Sequence, residues 1–264
     1  MSVVHANGVA LYYEERGTGE PIVCIHGTSS SAAVWGDAVE ELAQHGRMIS
    51  YDRRGCFRSE RPEPYVTDVH EHADDAAALI DALDASPAIV IGRSYGGQTA
   101  VDLALRYPDR VRALALLEAA LLSMSEDAAQ WASALAKSVF AAAAKDESAV
   151  AETFLRGVVG DEGWEGFSEP AKQMFIGNGP AILAEMRGGS LDVDPELLGT
   201  IAQPTLLVAG KDSPPAFAEV TTVMAGAMPS ARVEWVEGGH LINPAHPAVL
   251  RFVDDVLAGA LAER

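Results

Sequence analysis

Five short, largely apolar runs constrain this chain most: residues 22–25, 47–51, 88–91, 113–117 and 205–209. Each has the length of a strand, and its apolar residues follow one another instead of alternating, so both faces are apolar. That is the pattern of strands buried in a parallel sheet. Amphipathic stretches at helical spacing lie between them, among them 73–83 and 97–106, the second ended by Pro108. Residues 9–13 alternate more regularly, and Gly17-Thr18-Gly19 turns the chain from them towards Ile22, which predicts an antiparallel lead-in. Strand–helix alternation of this kind predicts an α/β architecture, a doubly wound sheet with right-handed crossovers.

The rhythm breaks between residues 121 and 198. This stretch holds an alanine-rich helical pattern, 128–144, then pieces punctuated at Gly160, Gly177 and Gly188-Gly189, and it lacks strand-like runs. It is too long for an ordinary crossover. The expectation is a core of residues 1–120 and 199–264, with residues 121–198 inserted between two strands as a helical cap.

Composition narrows the partners. The 264 residues are 48% hydrophobic and 22% charged, too apolar for a disordered chain and sufficient for a sizeable core. Lys and Arg number 19 against 38 Asp and Glu, a net charge of −19. An acidic surface repels phosphate backbones and anionic lipid, so neither nucleic acid nor a membrane is an expected partner. No window reaches the roughly 18 consecutive apolar residues of a membrane span. Residues 1–17, acidic and interrupted by His5 and Asn7, do not read as a signal peptide. Two cysteines, Cys24 and Cys56, cannot staple a chain of this length. The expected setting is cytoplasmic, as a monomer or homodimer, with no cofactor and no metal.

Chemistry concentrates in Ile89-Val90-Ile91-Gly92-Arg93-Ser94-Tyr95-Gly96-Gly97, a buried run leading into Gly-X-Ser-X-Gly and a helix. A sharp strand-to-helix turn strains its serine, exposes the hydroxyl and aims a helix N-terminus at it. The glycines are required where a Cβ would strike the turn's neighbours. Ser94 is thus the candidate nucleophile, and its hydroxyl needs a base. Of seven histidines, His240 follows the last strand-like run, 232–236, and precedes the final helix near Pro247. That places it at the carboxyl edge of the sheet, where sites of open α/β folds assemble. His26 also ends a strand, but it reads better as an organiser of its loop, with backbone N–H groups near Gly27 and Thr28 doing the binding. His70 and His72 stand at i and i+2 and share no helix face, which argues against a metal pair with Asp74 and Asp75. His5, His45 and His246 read as surface or helix-boundary residues.

Several motifs occur together: His26-Gly27, Tyr51-Asp52-Arg53-Arg54-Gly55 with Ser59, Gly92-Arg93-Ser94-Tyr95-Gly96-Gly97, Tyr107-Pro108-Asp109-Arg110-Val111 and Gly238-Gly239-His240. In their order and spacing the chain resembles α/β-hydrolase-fold enzymes over nearly its whole length outside the cap. The resemblance implies an eight-stranded, mostly parallel sheet with helices on both faces, a Ser–His–acid triad, and a helical cap between strands six and seven. It also implies an oxyanion hole from the backbone N–H groups of Thr28 and Tyr95. Two departures bear on the pocket: Arg93 stands where the family usually has His, and Cys56-Phe57-Arg58 replaces small and acidic residues before Ser59.

Two carboxylates compete for the acid's place, which is to accept the histidine's second N–H and fix its tautomer. Asp212 follows the run 205–209, one residue before the position of the family's common pattern, here Ser213. In an extended chain a one-residue slip turns a side chain to the opposite face, although a loop can absorb it. Glu118 ends the run 113–117, on the sheet edge that bears Ser94. Some α/β hydrolases carry their acid there, and in this the chain is similar to the fungal lactonases that open the macrocycle of zearalenone. A carboxylate ending an apolar strand is costly unless paired or solvated. Glu118 is therefore favoured over Asp212; its competing role is to cap the first helix of the cap.

The cap carries Trp131, Phe140, Trp164, Phe167, Met174, Phe175 and Met186. Those that face Ser94 would line an apolar cavity, with Trp164 and Met174 as candidate substrate contacts. The expected activity is hydrolysis of a small hydrophobic carboxylic ester or lactone through an acyl-enzyme. Alternatives are a C–C bond hydrolase, perhydrolase or lyase-type relative on the same triad, or a catalytically silent binding protein of this fold. Haloalkane and epoxide chemistry on this fold uses an aspartate nucleophile, which Ser94 argues against.

Overall fold

A computed structural model of the chain describes residues 2–261. Eight strands form one sheet: β1 (Ser2–Ala6), β2 (Val9–Arg16), β3 (Pro21–Ile25), β4 (Arg47–Tyr51), β5 (Ala88–Arg93), β6 (Val111–Leu117), β7 (Thr205–Gly210) and β8 (Ala231–Val236). Their order is β1-β2-β4-β3-β5-β6-β7-β8. β2 is antiparallel to β1 and β4, and every other pairing is parallel. The helices are α1 (Ala38–Leu42), α2 (Val69–Ala82), α3 (Tyr95–Arg106), α4 (Glu126–Ala143), α5 (Val150–Gly166), α6 (Glu169–Gly177), α7 (Gly179–Gly188), α8 (Pro195–Leu198), α9 (Pro215–Ala227) and α10 (Pro247–Leu257). Among the described residues no helix is long and apolar enough to cross a membrane.

Every apolar run is a strand, but β2 does not pair with the strand its Gly-Thr-Gly turn leads into. It pairs with β4, because β3, fully buried over residues 22–25, takes the centre between β4 and β5. β1, mostly exposed, is the strand the apolar pattern does not reveal. Along β3 and β5 successive residues feed opposite layers, as the two-residue period requires. Val23, Ile25 and Val90 join Leu79 and Ile80 of α2, Leu103 of α3 and Val220 of α9. Ile22, Cys24, Ile89 and Ile91 join Leu42 of α1 and Val249 and Phe252 of α10. The sheet is therefore covered on both faces. α2 begins at Val69, four residues before its apolar pattern, because Asp68 accepts the Glu71 N–H at 2.9 Å and caps the helix.

Helices α4 to α7 stand between β6 and β7 and share an apolar cluster of their own: Val139, Val150, Leu155, Trp164, Phe175 and Ile182. Ser125 and Ser168 cap α4 and α6. Gly160, at φ 76°, kinks α5.

Candidate active site

The turn after β5 holds Ser94 at φ 54° and ψ −118°, a conformation that L side chains rarely adopt. Close approach explains the glycines around it. A Cβ on Gly92 would lie 2.5 Å from the Gly96 carbonyl oxygen, and one on Gly96 would lie 2.1 Å from that of Ile25. The turn is tied to the end of β6: the Ser94 N–H donates to Leu117 O at 3.1 Å, and Ser94 O accepts from Ala120 N at 3.0 Å.

Glu118 follows β6 directly, at φ 49° and 1% exposed. Its N–H donates to Val208 O at 2.9 Å, and its Oε1 accepts the Gly210 N–H at 2.7 Å. Its Oε2 lies 2.5 Å from Nδ1 of His240. The carboxylate thus bridges the ends of β6 and β7 to the loop after β8. It caps no helix; Ser125 caps α4. Because Nδ1 donates to Glu118, Nε2 of His240 is left with the lone pair that can take a proton. The His240 ring is buried and packs on Phe217, with centroids 4.2 Å apart. Ser94 and His240 line one cleft.

Asp212 lies elsewhere. It is exposed, its N–H donates to Gly238 O at 3.0 Å, and its carboxylate has no hydrogen bond among the described residues. The one-residue slip turned it outwards. Ser213, in the register where the family's acid stands, is turned in instead, and its buried Oγ has no partner among the described residues.

His26 organises its loop. Nε2 accepts the Arg53 N–H at 2.9 Å, so Nδ1 carries the proton and donates to Gly27 O at 2.8 Å. Burial, then the Arg53 guanidinium, hold its pKa well below the ordinary histidine value, and the ring stays neutral. Arg53 is itself buried. It donates to the carbonyls of His26 and Gly27 and lies 2.8 Å from Glu185 of α7, whose other oxygen accepts the Thr28 hydroxyl at 2.6 Å. The loop that carries the Thr28 N–H is therefore braced by the core on one side and by α7 on the other. Neither the Thr28 nor the Tyr95 N–H donates a hydrogen bond among the described residues, and Thr28, Ser94 and Tyr95 line a common cleft.

The possible metal ligands diverge. His70 pairs with Asp102 at 2.9 Å, His72 packs on Arg53 at 3.2 Å, Asp74 accepts the Tyr107 hydroxyl, and Asp75 binds Arg54. Among the described residues no three His, Cys, Asp or Glu side chains gather as a metal site.

Two clefts meet at Ser94. The larger, about 490 Å³, runs from Trp35, Arg93 and Asn243 up to Phe154, Val158 and Phe175. The smaller, about 250 Å³, lies between Gln98 and Phe217 below and Trp131, Leu135 and Met186 above. Trp164 and Met174 line neither. Trp164, 4% exposed, packs inside the helical cluster between Phe167 and Phe175, and Met174 lies against the same cluster. Sequence reasoning missed the α5 face Phe154-Leu155 and Val158-Val159, which lines the larger cleft. Its i, i+1, i+4, i+5 spacing was the available signal, since residues four apart share a helix face.

Residues 20–247 match the family model of the alpha/beta hydrolase fold. Over 121 residues the chain is 35% identical to 2-hydroxymuconate semialdehyde hydrolase of Pseudomonas sp. (strain CF600), a match spanning 45% of this chain and 43% of that protein. It is 29% identical over 258 residues to pimeloyl-[acyl-carrier protein] methyl ester esterase of Nitrosospira multiformis, covering 95% of this chain and 96% of that one. A thermophilic esterase from Thermogutta terrifontis superposes with a TM-score of 0.79 at 24% identity, over 98% of this chain and 99% of that chain, a likeness of fold. With the sheet order, the strained serine turn and the extent of the family match in agreement, this chain belongs to the alpha/beta hydrolase fold family.

Proposed function

We propose that this protein is a serine hydrolase that cleaves a carboxylic ester or lactone through an acyl-enzyme, acting in the cytoplasm on a small molecule. One observation carries the reading: the Glu118 carboxylate lies 2.5 Å from Nδ1 of a buried His240 that shares a cleft with a strained, half-buried Ser94. In this reading Nε2 of His240 takes the proton of the Ser94 hydroxyl as Oγ attacks the substrate carbonyl. The Thr28 and Tyr95 N–H groups hold the oxyanion, and Glu118 stabilises the imidazolium. The tetrahedral adduct collapses, the alkoxide leaves with the proton from Nε2, and water then releases the acid by the same steps. Residues 121–198 act as the cap, setting substrate choice through α4, α5 and α7.

The names of the full-length esterase relative and of the partial 2-hydroxymuconate semialdehyde hydrolase relative frame the alternatives. The second favours C–C bond hydrolysis, which the same serine and histidine can serve. A fluorophosphonate should add one adduct mass to the wild type and none to Ser94→Ala. A panel of aryl esters, lactones and vinylogous diketones should give turnover on esters or lactones, lost in Ser94→Ala and in His240→Ala. Faster cleavage of a diketone would move the function to C–C hydrolysis. No adduct and no turnover would make the protein a silent member of the fold.

A further inference from the structure

Arg93, the residue just before the nucleophile, is 6% exposed and lines the larger cleft. It carries a charge into the interior with no carboxylate within 4.0 Å among the described residues. Among the described residues its guanidinium makes one hydrogen bond, from Nη2 to Ile242 O at 2.5 Å, while Nε is buried without a partner and Nη1 has none. The guanidinium carbon lies 5.1 Å from the Trp35 ring, whose own Nε1–H is also buried and unpartnered. Burial pushes the Arg93 pKa down to about 10, with only partial offset from Cys24 and Glu118. The other buried arginines behave differently: Arg53 pairs with Glu185 at 2.8 Å and Arg54 with Asp75 at 2.6 Å. A buried cation left unpaired is costly, so an unpaired one facing a cleft calls for an anion from outside.

We infer that Arg93 and Trp35 form a carboxylate-binding subsite of the larger cleft, and that the substrate is an ester or lactone bearing one carboxylate on the part seated there. The inference rests on the ester-hydrolase reading and narrows its substrate class. Apolar walls from Phe154, Val158 and Phe175 take the chain between that carboxylate and the scissile carbonyl. Asp37 and Glu41 lie at the exposed edge of this cleft. Water and salt screen their repulsion far more than burial screens the attraction of Arg93, so a monoanion enters while a second charge left at the edge is disfavoured.

The test compares monomethyl esters of C4 to C8 dicarboxylic acids with neutral methyl esters of equal chain length. At one length the wild type should show a kcat/KM at least about tenfold higher for the charged ester, as a desolvated charge-assisted pair implies. Arg93→Gln keeps a donor for Ile242 O and should lower kcat/KM for the charged ester by about tenfold more than for the neutral one. Equal losses on both esters would overturn the subsite and leave Arg93 as a tether for the His240 loop. If Arg93→Gln fails to fold, the wild-type preference decides alone, and preference for the neutral ester at every length overturns the inference. Calorimetry of monomethyl adipate binding to Ser94→Ala, with and without Arg93→Gln, reads the subsite without turnover. Binding that needs Arg93 would support the subsite even if no ester were hydrolysed, whereas absent labelling of Ser94 would count against the hydrolase reading itself.

Discussion

Ser94 and Glu118 directly follow neighbouring parallel strands, and both hold positive φ angles that non-glycine residues rarely adopt. Strain of this kind costs of order 1–3 kcal/mol per residue and persists where the surroundings impose it. Here the surroundings are explicit: the Ser94 turn is hydrogen-bonded to the end of β6, and the Glu118 carboxylate is held by Gly210 and His240. The proposed assignment of the acid is tested at this scale. Glu118→Gln keeps the size but cannot stabilise the imidazolium, so kcat should fall by up to about 10⁴-fold, as in the serine-protease template. Asp212→Asn should stay within a few-fold, since its carboxylate is exposed and has no hydrogen bond among the described residues. Steady-state rates of the two variants on one aryl ester decide between them, and the reverse ranking would return the acid to the loop after β7.

Among the elements, the body of α5 around Phe154 and Val158 and the segment from Trp164, near its end, to Phe175 divide what the proposed cap does. α5 turns Phe154 and Val158 onto both clefts, while Trp164 turns inwards onto Phe167 and Phe175. Val158→Ala should therefore change the ratio of kcat/KM between acyl chains of different length by about tenfold, the scale of a lost methylene contact or two. Trp164→Ala should instead destabilise the fold by about 3–5 kcal/mol, as large-to-alanine changes in cores do, with little change in that ratio. A substrate panel paired with urea unfolding separates the two effects. A common loss on all substrates from Val158→Ala would mean that α5 is only structural. α7 has a third task, since Glu185 reaches from it to Arg53 and Thr28 and ties the helices to the loop beneath them.

At the scale of the whole molecule, His26 and His72 are both fully buried and both held well below the ordinary histidine pKa, chiefly by burial and next by Arg53. Their folded-state pKa lies below the unfolded value, so the unfolded chain binds two protons that the folded chain does not. The stability this contributes is complete above the unfolded value of 6.5 and is lost as pH falls below it. Each group adds a slope of up to about 1.4 kcal/mol per pH unit, or about 2.7 for the pair. The urea midpoint should fall steadily from pH 6.5 to 5. A midpoint flat across that interval would show that both rings are already charged in the folded state, and half the expected slope that one of them is.

Local patterns carried much of this protein in its sequence. Consecutive apolar residues marked the buried strands because a strand covered on both faces has no polar side to show. Gly92, Gly96 and Gly97 marked the serine turn because their backbones approach others too closely for any Cβ. The position of His240 after β8 followed from element order alone. Other features depended on which distant segments meet, and no local pattern encodes that. β2 joined β4 because β3 could be buried more completely. Two carboxylates had a claim on His240, and tertiary packing decided which one reached it: β6 lies between β5 and β7, and the carboxylate of Glu118, the residue just after β6, lies 2.5 Å from the ring while Asp212 turns to solvent. The rotation of α5 and the burial of Arg93 beside Trp35 belong to the same class. A helix period says that a face exists, and only the packed neighbours determine what that face meets.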